Sequence, residues 1–97
     1  MREEVQSARV QDFDLGQNHP NPFNPTTTIP FTLYRDIHVR LAVHDQLGRE
    51  IAVLVDGQLP AGRHERAFDA TDLPGGVYHY RLTSAATSLT RTLTLVK

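Results

Sequence analysis

Histidine, aspartate and serine are the residues of this 97-residue chain best equipped for chemistry, and their spacing points away from it. His38 and His44 share one face of a strand. Six residues at ~3.3 Å each set them about 20 Å apart, too far to hold one ion. His79 is placed to lie across from one or other of them, and two imidazoles alone make a weak site. Asp12, Asp14, Asp69 and Asp72 stand near loops, where calcium finds oxygen ligands, but none of their spacings resembles a calcium loop. Turn formation accounts for them. Serine occurs only at Ser7, Ser84 and Ser88, outside any Gly-x-Ser-x-Gly elbow. There is no Gly-rich phosphate loop and no carboxylate pair at a recognisable spacing. Cysteine is absent, which removes thiolate nucleophiles, thiolate zinc sites and disulfides together. No catalytic residue, metal site or cofactor site is therefore assigned, and the chain by itself is not expected to be an enzyme.

The elements around these residues read as short strands. Ile29, Phe31 and Leu33 alternate with Pro30, Thr32 and Tyr34, the period of a half-buried strand. Ile37, Val39, Leu41 and Val43 alternate with His38, Arg40, Ala42 and His44 in the same way. Asp45 to Gly48 reads as a tight turn with its glycine left-handed, leading into Arg49–Val55, where Ile51, Val53 and Val55 share a face. Residues 56–62 read as a loop and Arg63–Asp69 as a strand. A turn at Pro74-Gly75-Gly76 opens Val77–Thr83, and Ser88–Val96 completes a last hairpin. A seventh strand falls within Gln11–Gln17, on the alternation of Phe13 and Leu15 with Asp12 and Asp14. Short strands joined by short turns predict an antiparallel β-sandwich of about seven strands, with no helix. Its expected core holds Phe23, Phe31, Leu41, Val43, Val53, Phe68, Tyr78 and Tyr80. Tyr78 follows Pro74 at a corner where a tyrosine hydroxyl can return to upstream backbone.

The segment from Gln17 to Thr26 is unusual. It contains Asn18, Pro20, Asn21, Pro22, Phe23, Asn24 and Pro25. The prolines fix φ and hold His19, Asn21 and Asn24 extended, while Asn side chains can bond the backbone two residues on. The expected result is a stiff, self-satisfied strap that plugs Phe23 into the core. A proline-rich peptide ligand is the alternative, but the run lacks the regular spacing of such ligands.

Composition bounds the rest. At 10.9 kDa the chain has room for one domain. Folding should bury about 65% of its surface, enough for one modest core. Ten basic residues against eleven acidic ones leave a net charge of −1, so no field gathers nucleic acid or anionic lipid. No apolar run approaches the ~20 residues of a membrane span. Residues 1–10 are polar and read as a disordered lead-in or linker, without the apolar stretch of a signal peptide. If the domain is exported, its export signal is expected elsewhere in a longer protein. Residues 11–97 form the domain, expected to be monomeric when isolated.

Several blocks, in order, carry a family resemblance. Leu15-Gly-Gln-Asn-His-Pro-Asn-Pro-Phe-Asn-Pro-Thr-Thr-Thr-Ile29 resembles the opening signature of type A C-terminal sorting domains of the type IX secretion system. Residues 43–55, Ala61-Gly-Arg-His64, residues 73–82 and the ending Leu93-Thr-Leu-Val-Lys97 continue it. The pattern is also similar to the immunoglobulin-like domain of flagellar hook-capping proteins. The resemblance implies an immunoglobulin-like C-terminal module of a larger secreted protein from a Bacteroidetes-type bacterium. It would direct export through the outer membrane to the cell surface or medium. The implied partners are the translocon and the cell-surface attachment machinery, and the passenger is often a hydrolase. The implied recognition residues are Gly76, Tyr78, Leu95, Val96 and Lys97.

The chain departs from that pattern at His19, where the family usually has Tyr, and at Phe68, often Trp. It also departs at Arg66, normally apolar, which implies either a partly buried strand face or a guanidinium reaching the rim. Two alternatives belong to other classes. A carbohydrate-binding accessory module would need coplanar exposed aromatics, for which Tyr34 is the best candidate. A structural immunoglobulin-like spacer would be told apart by the parent gene.

Overall fold

Alternation of apolar and polar side chains lays down seven strands in the computed structural model, which describes residues 12–97. The lead-in expected at residues 1–10 lies outside the described residues. The strands are β1 (Phe13–Leu15), β2 (Thr26–Leu33), β3 (Ile37–His44), β4 (Glu50–Leu59), β5 (Gly62–Asp69), β6 (Gly76–Thr83) and β7 (Ser88–Leu95). No helix occurs among the described residues. One sheet has the order β1-β2-β5 and the other β4-β3-β6-β7, with every strand pair antiparallel. The two sheets form an immunoglobulin-like sandwich. Its fourth strand lies beside the third instead of completing the opposite sheet, as it does in constant-type domains.

The inward rows meet as the alternation predicts. Ile29, Phe31 and Leu33 of β2 face Val39, Leu41 and Val43 of β3, with Tyr78, Tyr80 and Leu82 of β6 and Leu93 and Leu95 of β7. All of these are buried. Phe13, Leu15, Phe23 and Phe68 complete the core. Gly48, at φ 83°, closes the β3–β4 turn in the left-handed conformation expected there.

Strand β4 departs from expectation twice. Val53 is 43% exposed, not core. Leu41 opposes Val55 and Ala42 opposes Val53, so Leu54 has no partner; Val43 opposes Ala52 and His44 opposes Glu50, so Ile51 has none. Each extra residue is a bulge that reverses the alternation, so Val55 points inward and Val53 outward. The loop expected at 56–62 is also mostly strand. Ile37, His38 and Val39 pair with Leu59, Gln58 and Gly57, leaving Pro60 and Ala61 as the connection. Backbone pairing with β3 outweighed the turn chemistry of Asp56-Gly57.

Candidate functional site: the clamped end of strand β7

The strap begins where β1 is forced to stop. Gly16 N–H donates to the Pro30 carbonyl at 2.9 Å, the last bond in line with the β1–β2 ladder. Proline has no N–H to return to the Gly16 carbonyl. The Tyr80 hydroxyl supplies that missing donor at 2.7 Å, and accepts from Asn18 N–H at 2.9 Å. Burial pushes the Tyr80 pKa above its ordinary value, so the hydroxyl keeps its proton and can donate. Gly16 is required by contact: a Cβ there would lie 2.8 Å from Pro30 Cγ. Tyr80→Phe would strand a buried N–H and a carbonyl at once and should cost about 1–3 kcal/mol. A lowered urea midpoint with unchanged slope is the expected reading; an unmoved midpoint would refute the role.

Beyond Gly16 the chain satisfies itself, as its composition suggests. Asn18 is buried, and its Nδ2 donates to the Pro20 carbonyl two residues on and to Thr27 Oγ1. Thr27 is buried too, and donates to the same Pro20 carbonyl at 2.8 Å. His19 and Thr28 exchange backbone bonds. The His19-Pro20, Asn21-Pro22 and Asn24-Pro25 peptides are cis. Pro22 and Asn24 are exposed. The Pro25 carbonyl accepts from Ala70 N–H, anchoring the strap's far end after β5. Asn21 does not bond locally: its Oδ1 accepts from Thr94 N–H of β7 at 3.0 Å.

Phe23 fills the core as expected, 1% exposed, with its ring centroid 6.2 Å from that of Phe68. Its backbone makes a parallel bridge to Leu95, donating to the Thr94 carbonyl and accepting from Val96 N–H, each at 3.0 Å. Strap and terminal strand are thus one unit, a pairing invisible in local residue spacing.

The residues assigned to recognition separate into two kinds. Gly76 opposes Leu95 and Tyr78 opposes Leu93, so β6 and β7 bring them together. Tyr78 and Leu95 are buried, and the Tyr78 hydroxyl donates back to the Pro74 carbonyl, the corner bond expected of it. Gly76 takes φ 145°, open to glycine, where strand β6 starts. A Cβ on Gly75 would crowd the Leu95 carbonyl and Lys97 Cγ, both at 3.3 Å, so the turn packs under the terminus. Only Val96, 45% exposed, and Lys97 present side chains to solvent. Lys97 Nζ donates to the Thr71 carbonyl at 2.9 Å. A cleft of about 350 Å³ lies alongside, bounded by Leu47, Ile51, Leu73, Pro74, Gly75 and Tyr78.

Away from the clamp, several carboxylates fix turns and strand pairs. Asp45 is held below its usual carboxylate range by bonds from the Arg49 backbone and side chain and from Leu47 N–H, which fix the turn. Glu50 is lowered by a two-pronged bond from Arg40. His44 lies across from His79 on neighbouring strands. No group of three or more metal-ligating side chains forms among the described residues. Of the two alternatives for Arg66, the partly buried face is the one seen: His64 and Arg66 are half-buried, and Arg66 Nη1 donates to the Glu65 carbonyl. Tyr34, 57% exposed, is the only Phe or Tyr facing solvent among the described residues.

Two antiparallel sheets with the end of the last strand clamped by an irregular strap define an all-β, immunoglobulin-like module. The chain belongs to the secretion system C-terminal sorting domain family, which it matches over residues 18–96, the sorting domain of type IX secretion. Among solved structures it is similar to dimeric latent PorU from Porphyromonas gingivalis, with TM-score 0.66 and 18% identity over 87% of this chain and 9% of that one. It is also similar to PorZ from the same organism, described as an essential surface component of the type IX secretion system. There the TM-score is 0.58 with 18% identity, over 84% of this chain and 11% of that one. A conjugative transposon lipoprotein from Bacteroides eggerthii matches at TM-score 0.51 and 8% identity, over 88% and 95% of the respective chains. These identities speak to fold alone. The chain spans about a tenth of the PorU and PorZ chains. A comparison with curated proteins finds no match.

Proposed function

We propose that this domain is the terminal address of a larger secreted protein. It is read by the type IX translocon at Val96 and Lys97, and delivers its passenger through the outer membrane to the attachment machinery of the cell surface. Membership of the sorting family carries the reading. The placement of the two residues supports it, because they stand beyond the last core side chain, Leu95, where a partner can reach them without opening the fold. Gly76 and Tyr78 serve by holding that end in place, the glycine through its backbone and the tyrosine through its corner bond. The domain itself performs no chemistry. A sugar-binding role has less support, since among the described residues Tyr34 is the one exposed Phe or Tyr, with no aromatic platform around it.

A reporter fused ahead of the domain should be exported by a type IX-competent host. Deleting Val96 and Lys97 removes the Val96 N–H bond to Phe23 and the Lys97 contact with Thr71. It should lower stability by under about 1 kcal/mol, yet leave the reporter in the periplasm. Export of the truncated fusion at the intact level would sink end-reading, and retention of the intact fusion would sink the sorting role.

A further inference from the structure

Strand β7 is the outer strand of its sheet, and an open strand edge is a template on which another chain can add a strand. Toward its end, that edge is occupied. Gln17 Nε2 donates to the Thr92 carbonyl at 3.0 Å, and Thr94 N–H donates to Asn21 Oδ1 at 3.0 Å. Phe23 N–H donates to the Thr94 carbonyl, and Val96 N–H donates to the Phe23 carbonyl. The strap therefore consumes the backbone groups that a partner strand would need, and leaves the side chains of Val96 and Lys97 outside.

We propose, building on the sorting reading above, that Gln17–Pro25 is part of the signal and not only a strap of the fold. It holds the end of β7 in one register and closes its edge. The partner that fits is then a preformed pocket with an apolar wall for Val96 and an acidic group for Lys97, not an open sheet edge. Asn21 is the positioning residue: it is exposed, contributes nothing to the core, and spends its side-chain oxygen on the Thr94 N–H. Without the clamp, a partner must order the strand end as it binds, and fixing even one residue's backbone weakens binding roughly ten-fold.

The test uses the full domain behind a reporter in a type IX-competent host, with Asn21→Ala, Asn21→Asp and Val55→Ala as variants. Asn21→Ala removes the acceptor facing Thr94, whereas Asn21→Asp keeps one. Val55→Ala thins the core at β4, across the sheet from β7. Expected for Asn21→Ala are amide exchange at Thr94 faster by roughly ten-fold and surface export lower by a similar factor. Asn21→Asp should restore both, and Val55→Ala should export normally despite a lower melting temperature. Normal export of Asn21→Ala would overturn the proposal. So would equal retention of Val55→Ala, because stability alone would then explain the loss. Retention of the intact domain would overturn the sorting reading, and this proposal with it.

Discussion

Phe68→Ala is expected to lower the free energy of unfolding by about 3–5 kcal/mol, through lost transfer energy and the cavity left behind. Phe68 is 4% exposed, lies in β5 opposite Thr27 of β2, and is the last inward residue before the strand leaves the sheet. Its neighbours cannot close over the gap easily. Thr27 is held by the Asn18 and Pro20 bonds, and Phe23 is pinned by its bridge to Leu95. A domain of this size commands about 5–15 kcal/mol in total, so the loss removes between about a fifth and all of its stability. The urea midpoint should fall sharply without a change of slope. An unmoved midpoint would mean that Phe68 is not packed as described.

Phe23→Ala should cost a similar ~3–5 kcal/mol, and it distinguishes a strap from a ligand motif. A peptide ligand that happened to be tethered here would lose binding and keep its stability. Phe23 instead fills the space between the sheets, 1% exposed, with its ring tilted 57° against that of Phe68. Such an aromatic pair is worth about 0.5–1.5 kcal/mol beyond area burial. The double variant should therefore be less destabilised than the two single losses added together, by about that amount. Strict additivity would show that the rings do not depend on each other.

Much of this was legible from local pattern. Alternation placed the inward rows of β2, β3, β6 and β7, because each has one face on the core and period 2 is then unavoidable. Phe23 was legible as the one large apolar group in a run of Asn and Pro. The corner bond of Tyr78 spans only four residues, so it too was within reach of the sequence. Bulges were not. Nothing in Glu50–Val55 marks Ile51 and Leu54 as extra residues, since a bulge is a property of the pair of strands, and Val53 was misplaced for that reason. The site divided along the same line. Gly76, Tyr78, Leu95, Val96 and Lys97 came from family pattern, whereas the clamp on them came from tertiary structure. Asn21 and Thr94 are 73 residues apart, and Tyr80 and Gly16 are 64 apart, so no window along the chain contains both partners.

The bridge between Phe23 and Leu95 runs parallel, although every ladder of the sandwich is antiparallel. This orientation governs how the domain bears tension. When the chain is drawn from its two ends, strap and terminal strand are pulled in opposite directions along their shared length. The Phe23–Thr94 and Val96–Phe23 bonds are then strained together in shear, instead of being peeled open one after the other. A load applied between the two ends would therefore meet this seam in its most resistant direction.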